Sequence, residues 1–253
     1  MKKIIRSILR GLGLYAFALD VENKLITMFK KGERKAFYGQ FIQKGDLVFD
    51  VGANKGNRTV IFLDLGAKVV AVEPQKECYE HLTKRFGNKI ELVKLGLGEA
   101  ESTATMYVSG STLISSFSKD HVDMMQEDRF KGAAWGKTIE VKMTTMDKLI
   151  EQHGVPAFCK VDVEGYEYDV LKGLSQPVGA MSLEYIVPEN TQVLVNCLEH
   201  LNKLGQIECN FSYGESMKFN LPTWKTGPEM IAYVQSQEFT DTSYGDVYVR
   251  FVK

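Results

Sequence analysis

Leu47-Val48-Phe49-Asp50-Val51-Gly52-Ala53-Asn54-Lys55-Gly56 is the stretch that decides the fold of this chain. It opens with a short, almost uninterrupted apolar run, which is typical of a strand buried on both faces of a parallel sheet. Gly52 and Gly56 follow, and residues without a Cβ allow the backbone to turn sharply and to approach a ligand closely. The stretch therefore predicts a strand, a ligand-binding turn and the start of a helix.

Similar apolar runs recur along the chain and alternate with segments of helical spacing, which predicts an α/β fold with a mostly parallel sheet. The other predicted buried strands cover residues 69–72, 90–95, 157–162 and 180–186, and helices are predicted up to about residue 41 and at 76–86, 166–174 and 191–204. Residues 206–211 and 246–252 are predicted to close the sheet as an antiparallel edge hairpin. Residues 103–108 and 137–143 alternate like half-exposed strands, and the polar segment 109–136 between them is predicted to be an insertion or lid.

The composition of the 253 residues, 44% hydrophobic and 25% charged, is that of one sizeable globular domain. The formal net charge of -1 gives no positive field for phosphates, so no nucleic-acid partner is predicted and a small or uncharged substrate fits better. The four cysteines show no metal-binding spacing, and we interpret them as reduced core residues. No segment has the roughly 20 apolar residues of a membrane-spanning helix, so a cytoplasmic protein is expected.

The N-terminal segment, residues 1–42, is set apart from the predicted domain at 43–253. Its apolar residues repeat at helical spacing among the basic residues at positions 2, 3, 6 and 10, and they are Ile4, Ile5, Ile8, Leu9 and Leu12. This pattern predicts a basic amphipathic helix. Such a helix can contact an anionic membrane surface, which would suit a lipid-linked substrate. Packing against its own domain is the commoner outcome, and the sequence leaves both open.

Glu73 ends the second predicted strand, 21 positions after Gly52. At this place in a Rossmann-like unit, an acidic side chain accepts hydrogen bonds from both hydroxyls of a ribose. The G-x-x-x-G spacing of Gly52 and Gly56 matches neither the dinucleotide-binding nor the phosphate-gripping glycine loop, which disfavours a ligand with a pyrophosphate. The glycine turn and the acidic strand end together predict an adenosine-containing ligand.

Two motifs resemble the FkbM-type methyltransferases, within the wider class I methyltransferase fold. The first is the Phe-Asp-Val-Gly-Ala-Asn-Lys-Gly sequence at residues 49–56. The second and more specific one is Lys160-Val161-Asp162-Val163-Glu164-Gly165-Tyr166-Glu167, followed by Val170-Leu171-Lys172-Gly173-Leu174. The resemblance covers about residues 47–186. It implies a Rossmann-like sheet of seven strands whose last strand is antiparallel.

The resemblance also implies S-adenosylmethionine as the cofactor. The loop at 50–56 is then expected to surround its methionine part and Glu73 its ribose, while the loop at 95–99 is the candidate by position for the adenine. The candidate cofactor residues are Asp50, Gly52, Ala53, Asn54, Gly56, Thr59, Glu73, Gly98 and Asp162. A Ser/Thr-rich segment of the family resembles residues 111–117, so the candidate substrate residues are Ser115, Ser116 and His121, the last as a possible base.

Asp162, Glu164 and Glu184 are the candidate catalytic residues, because they lie at the ends of two neighbouring predicted strands beside the cofactor cleft. A carboxylate could align an acceptor hydroxyl and remove its proton. The same three carboxylates could instead bind a divalent metal such as Mg²⁺. A structural role at the start of the next helix is the third interpretation, and it suits Glu167 best. The sequence does not choose among them, and Asp162 is the first choice for a catalytic group.

The leading hypothesis is therefore an S-adenosylmethionine-dependent O-methyltransferase that acts on a hydroxyl of a small molecule or glycan. A nicotinamide-dependent oxidoreductase is one alternative, because it shares the acidic residue after the second strand. A non-catalytic module that binds S-adenosylmethionine is the other. The acceptor, the need for a metal and the oligomeric state are left open at this point.

Overall fold

The computed structural model of the protein describes residues 31–108, 115–119, 121–123 and 137–252. Its strands are β1 (Leu47–Val51), β2 (Lys68–Val72), β3 (Ile90–Val93), β4 (Gly96–Leu97), β5 (Ser102–Val108), β6 (Lys137–Thr144), β7 (Phe158–Val161), β8 (Ala180–Ile186), β9 (Ile207–Tyr213), β10 (Lys225–Thr226) and β11 (Tyr244–Phe251). Its α-helices are α1 (31–38), α2 (Thr59–Asp64), α3 (Lys76–Phe86), α4 (Met146–His153), α5 (Glu167–Lys172), α6 (Thr191–Leu204), α7 (Gly227–Tyr233) and α8 (Gln237–Thr240). The predicted helices at 76–86 and 191–204 are confirmed to the residue.

Eight strands form the main sheet in the order β10-β9-β11-β8-β7-β1-β2-β3. The strands from β3 to β8 in this order are parallel, whereas β11 runs antiparallel to both β8 and β9. The seven predicted strands and the antiparallel last strand are confirmed. The predicted edge hairpin needs correction, because β11 pairs with both β8 and β9 and therefore lies inside the sheet, and β10 pairs with β9 as an eighth strand at the edge. A local pattern could not show this, because the pairing of β11 on both sides is a long-range contact.

Helices cover both faces of the main sheet and give a three-layer α/β/α arrangement. Because side chains alternate along a strand, Phe49 and Val51 face one core while Val48 faces the other. The first core includes α6 through Leu198, and the second includes α2 through Ile61. All four cysteines are buried and none forms a disulfide within the described residues, in line with the prediction of reduced core residues. Burial on both faces explains why the strands are apolar runs and do not alternate.

A second, smaller sheet contains three strands in the order β4-β6-β5. β5 and β6 pair antiparallel from Ser102 opposite Met143 to Val108 opposite Lys137, which confirms the two half-exposed strands. The segment predicted to be an insertion or lid connects these two strands. The structure describes its residues 115–119 and 121–123, and the rest of that segment lies outside the described residues.

The amphipathic helix predicted near the N-terminus also lies outside the described residues. The residues that follow it in the chain belong to the domain, because Phe37, Tyr38 and Ile42 are buried in the second core. The packing of the domain therefore begins before the predicted boundary at residue 43. Among the helices that the structure describes, none has the length and apolar content that a bilayer crossing requires.

Candidate active site

A cavity of about 280 Å³ lies at the carboxyl end of β1, the strand between β2 and β7. The strand order reverses here, and ligands of open parallel sheets bind at such a switch point. The cavity is lined by residues 50–54, at the end of β1 and in the loop that follows it. Glu73 after β2 and Asp162 after β7 also line it. The structure therefore brings the two sequence motifs together at one site.

Gly52 is the point where the loops after β1 and β7 touch. Its N–H donates to the carbonyl oxygen of Val72 at 3.0 Å, and its φ of +78° lies in the left-handed region that favours glycine. A Cβ on Gly52 would lie 1.8 Å from the carbonyl oxygen of Asp162. No larger residue fits without separating the two loops, so this glycine sets the distance between the motifs.

Glu73 is 2% exposed at the end of β2. Its Oε2 accepts a hydrogen bond from the N–H of Asn54 at 2.8 Å, and its Oε1 accepts one from the N–H of Gln75 at 2.7 Å. Burial raises the pKa of Glu73 to about 7, against the effect of these two bonds. Each carboxylate oxygen has a further lone pair, so both can also accept a hydroxyl hydrogen from a ligand in the cavity. This arrangement fits a ribose diol.

The other candidate cofactor residues divide into those that line the cavity and those that support it. Asp50 lines it but is 1% exposed, and its Oδ2 accepts a hydrogen bond from Thr59 Oγ1 at 2.5 Å. Thr59 therefore orients Asp50 from outside the cavity, and Gly56 makes room for side chains of α3. Gly98 also lies outside the lining, which residues 95–97 of the same loop reach.

Polar side chains form two rows across one face of the main sheet. Paired residues on neighbouring strands point to the same face, and so does every second residue along a strand. The first row is Asp50, Lys160 and Ser182, and the second row is Asp162, Glu184 and Asp246. The rows lie at the carboxyl end of a face that is apolar below them, where Val48 and Phe158 belong to the second core. Charge is therefore concentrated at the end of the sheet that carries the cavity.

Lys160 fixes the protonation of Asp162. Lys160 is 3% exposed, and its ammonium group contacts Asp162 Oδ2 directly. Burial alone would raise the pKa of Asp162, but the charge and hydrogen bond of Lys160, together with a hydrogen bond from Glu184, hold it below its ordinary value. Burial alone would likewise lower the pKa of Lys160, and Asp162 and Asp246 raise it above its ordinary value. Asp162 is therefore an ionised carboxylate facing the cavity at neutral pH.

The pKa values of Glu164 and Glu184 shift in the opposite direction. Burial and the neighbouring charge of Asp162 raise the pKa of both well above the ordinary value, so both hold their protons more tightly than an ordinary glutamic acid. Oε2 of Glu184 is buried with no partner in the part of the chain that the structure describes. One oxygen from each of the three carboxyl groups lies within 4.8 Å of the others. The three candidate catalytic residues thus form one cluster, in which Asp162, paired with Lys160, ionises most readily.

The three candidate substrate residues lie at different depths beside the acidic motif. Ser115 lines the cavity, whereas Ser116 is fully buried and donates from Oγ to the backbone carbonyl of Glu164 at 2.6 Å. His121 lies outside the cavity lining, with Nδ1 2.9 Å from Nδ2 of Asn190. Burial lowers the pKa of His121 to about 4, so its imidazole is neutral. The described part of the predicted lid therefore rests on the loop that carries Glu164.

Glu167 has a structural place at the start of α5. Its Oε1 accepts hydrogen bonds from the N–H groups of Val163 at 3.1 Å and Gly165 at 3.2 Å, and the residue is 4% exposed. Burial raises its pKa to about 7. Glu167 holds the loop of the acidic motif in shape, in line with its interpretation from the sequence.

Lys160, Arg58 and Glu215 line the cavity although the sequence analysis did not single them out. Lys160 carried a signal, because a lysine inside an apolar strand is almost never buried without a partner. Arg58 and Glu215 form an ion pair at 2.5 Å. They are 157 positions apart, so no local pattern could have paired them.

Comparison with known proteins identifies several methyltransferases that are similar to this chain in sequence or in structure. The hexuronic acid methyltransferase AglP of Haloferax volcanii is 26% identical over 150 residues, which cover 58% of this chain and 56% of the relative. The matched part thus spans little more than half of that relative's length. A TehB-like SAM-dependent methyltransferase from Corynebacterium glutamicum has a TM-score of 0.45 at 10% identity, with 94% of this chain and 99% of that chain covered. The precorrin-6y C5,15-methyltransferase of Geobacter metallireducens has a TM-score of 0.43 at 9% identity, with 87% of each chain covered.

The family profile described as "Methyltransferase FkbM domain" matches residues 50–239, which is more than half of the chain. The matched span contains the loop at 50–56, Glu73 and the acidic cluster. The residues present also fit S-adenosylmethionine, because residues 50–54 line the cavity and Glu73 offers acceptors for a ribose there. From both motifs and the matched span, the chain is a member of the FkbM methyltransferase domain family of S-adenosylmethionine-dependent enzymes.

Proposed function

We propose that this enzyme transfers the methyl group of S-adenosylmethionine to a hydroxyl oxygen of a small molecule or glycan. The observation that carries the proposal is the carboxylate of Asp162, which lines the cavity, contacts Lys160 and lies within 4.8 Å of carboxyl oxygens of Glu164 and Glu184. The name of the Haloferax volcanii relative refers to a hexuronic acid, which supports a sugar as the acceptor.

In the proposed reaction Asp162 positions the acceptor and receives its proton. S-adenosylmethionine supplies a methyl group on a positively charged sulfur, so the donor itself provides the leaving-group activation. A hydroxyl that donates a hydrogen bond to Asp162 has its oxygen aimed at the methyl carbon. As the C–O bond forms and the S–C bond breaks, the hydroxyl proton becomes strongly acidic and passes to the carboxylate. Even a carboxylate with a lowered pKa can accept such a proton.

A divalent metal at the same cluster is the alternative to a carboxylate base. Three oxygens within 4.8 Å of one another are suitable ligands for a hard cation. However, the ammonium group of Lys160 contacts Asp162 and already balances its charge. A divalent ion would have to compete with protons, which Glu164 and Glu184 bind more tightly than ordinary glutamic acids do, and it would be repelled by Lys160. We therefore assign the cluster to positioning and proton transfer.

The test is methyl transfer from S-adenosylmethionine carrying a ¹³C methyl group to a panel of methyl hexosides and methyl hexuronides, in buffer containing EDTA. We expect an alkali-stable methyl ether on a ring hydroxyl, identified by NMR. Asp162→Asn should lower turnover at least about a hundredfold, which is the usual contribution of a positioned base. Calorimetry should show that this variant still binds S-adenosylmethionine.

Asp169→Asn is the matched control, because Asp169 lies on α5 outside the cavity and pairs with Lys172. It should keep wild-type turnover. Wild-type turnover in Asp162→Asn would contradict the role of Asp162 as the base. Activity that needs added Mg²⁺ would show that the cluster binds a metal. An alkali-labile product would show that the accepting oxygen belongs to a carboxylate and not to a hydroxyl.

A further inference from the structure

Arg58 brings a second cation to the cavity, and the proposed reaction does not use it. Arg58 lies just before α2, with 11% of its side chain exposed, and it lines the cavity together with Asp162 and Lys160. It is close enough for its charge to act on both of these residues. Arg58 therefore lies on the side of the cavity where the acceptor meets Asp162.

Three contacts hold the guanidinium group in one orientation. Nε donates to the hydroxyl of Tyr38 at 3.1 Å, and Nη2 donates to Glu215 Oε1 at 2.5 Å and Oε2 at 2.6 Å. Tyr38 is fully buried, and Arg34 fixes Glu215 from the other side at 3.0 Å. The orientation of Arg58 is thus set by the second core, by α1 and by the loop after β9.

Nη1 is the one nitrogen of the Arg58 guanidinium group that these three contacts do not use. Within the described residues it donates no hydrogen bond, although Nε and Nη2 are both engaged. Nη1 of a guanidinium group carries two N–H donors, and a charged donor of this kind forms a strong hydrogen bond with a carboxylate. A pre-oriented arginine with free donors in a cavity wall is therefore suited to bind a carboxylate from a ligand.

We propose that Arg58 binds a carboxylate group of the methyl acceptor, so that the enzyme selects acidic sugars over neutral ones. This inference rests on the proposed function and narrows its acceptor to a uronic-acid type of sugar. The preference comes from the donors of Arg58 and not from a general positive field, because Arg34, Arg58 and Lys160 face the acidic residues Asp162, Glu215 and Asp246.

The experiment measures binding and needs no turnover. The full chain, saturated with S-adenosylhomocysteine, is titrated by calorimetry with methyl β-D-glucuronide and with methyl β-D-glucoside. The two sugars differ only at C6, which is a carboxylate in the glucuronide and a hydroxymethyl group in the glucoside. Wild type should bind the glucuronide at least about tenfold more tightly, as expected for a hydrogen bond between charged groups. Arg58→Gln should bind the two sugars equally.

Arg34→Gln is the matched control, because it removes the other arginine on Glu215 without changing the cavity lining. It should keep the preference, and thermal unfolding checks that both variants fold. Equal binding of the two sugars by wild type, no binding of either, or an unchanged preference in Arg58→Gln would overturn the inference. So would a loss of affinity in Arg58→Gln for the cofactor alone, which would assign Arg58 to the carboxylate of the donor. If wild type prefers the glucuronide but transfers no methyl group to it, Arg58 still binds the carboxylate and only the proposed function is contradicted.

Discussion

Glu73 and Asp162 are carboxyl groups of one cavity that differ in proton affinity. Burial raises the pKa of Glu73 to about 7, because no cation of the described residues is near enough to offset the loss of water. Asp162 is also buried, but Lys160 holds its pKa below the ordinary value. At neutral pH, Asp162 is therefore charged while Glu73 lies near its midpoint. The difference in pKa comes from the charge and hydrogen bond of Lys160, together with the hydrogen bond from Glu184.

Cofactor binding should depend on the protonation of Glu73. Ribose hydroxyls donate to the ionised carboxylate, so the affinity for S-adenosylmethionine should rise as the pH increases through about 7. Between about pH 6 and about pH 8 the ionised fraction grows from about a tenth to about nine tenths, which allows up to about a tenfold change. Calorimetry at both pH values should show this rise in wild type and a low, flat affinity in Glu73→Gln.

Glu77→Gln provides the control for that measurement, because Glu77 is an exposed glutamate in the first turn of α3 outside the cavity. Its pH dependence should match that of wild type. If Glu73→Gln keeps the full rise with pH, another group in the cavity controls binding.

At the scale of secondary structure elements, the site is a contact between two βα loops. β1 and β7 are neighbouring parallel strands, so their following loops emerge side by side. The N–H of Asp162 donates to the carbonyl oxygen of Val51 at 3.1 Å, and Gly52 lies against the carbonyl of Asp162. The proposed cofactor loop and the proposed catalytic carboxylate are thus held together by backbone, which makes their distance insensitive to most side-chain changes.

Gly52→Ala should break this contact. The new Cβ would lie 1.8 Å from the carbonyl oxygen of Asp162, so the two loops must separate. Overpacking and the positive φ together should cost about 3 kcal/mol or more, and binding of S-adenosylmethionine should be lost. Chemical denaturation and calorimetry measure the two effects.

Gly45→Ala measures the backbone-strain part of this change, so the difference between the two variants gives the steric part. Gly45 also has a positive φ, +93°, but a Cβ there would meet nothing within 4 Å. It should cost about 1 kcal/mol from backbone strain alone and leave cofactor binding intact. Equal losses of stability in the two variants would show that the contact between the loops does not matter.

At the scale of the whole molecule, the sheet buries several carboxyl groups at one end. Glu73 and Glu167 have pKa values raised to about 7 by burial, and burial raises the pKa of Asp246 to about 6. A carboxyl group whose pKa is raised on folding stabilises the protein below its unfolded pKa and loses that contribution as the pH rises through the folded pKa. His121 acts in the opposite direction, because burial lowers its pKa to about 4. The contribution of one group to the pH dependence of stability must therefore be measured against a variant that lacks only that titration.

Glu167→Gln should reveal the contribution of Glu167. Glutamine can still accept the hydrogen bonds from Val163 and Gly165 but does not titrate. Relative to this variant, wild type should lose about 3 kcal/mol of stability between about pH 4.5 and about pH 8, because the pKa rises from 4.5 to about 7 on folding. Urea unfolding across this range measures the difference.

The exposed Glu199 of α6 offers a control, since Glu199→Gln should follow the wild-type curve. A constant difference in stability between wild type and Glu167→Gln across the range would mean that Glu167 titrates alike in the folded and unfolded chains.

Local patterns in the sequence determined the elements and the cofactor side of the site. The apolar runs predicted the seven long strands of the main sheet, because burial on both faces demands such runs. The turn at Gly52 and the acid at Glu73 were predicted because a sharp turn needs a residue without Cβ and a strand end beside a ribose needs acceptors. Both lie within 21 positions of each other, where local order along a βαβ unit fixes the geometry.

Only the tertiary structure decided the chemistry of the cluster. Lys160 and Asp162 are neighbours in the sequence, but the pKa of Asp162 depends on burial and on Glu184, which the pairing of β7 with β8 brings close. The same holds for Arg58 and Glu215, whose contact joins segments from different parts of the chain. Charge interactions depend on distance in space and on exclusion of water, and neither can be known until the strands have found their order and register.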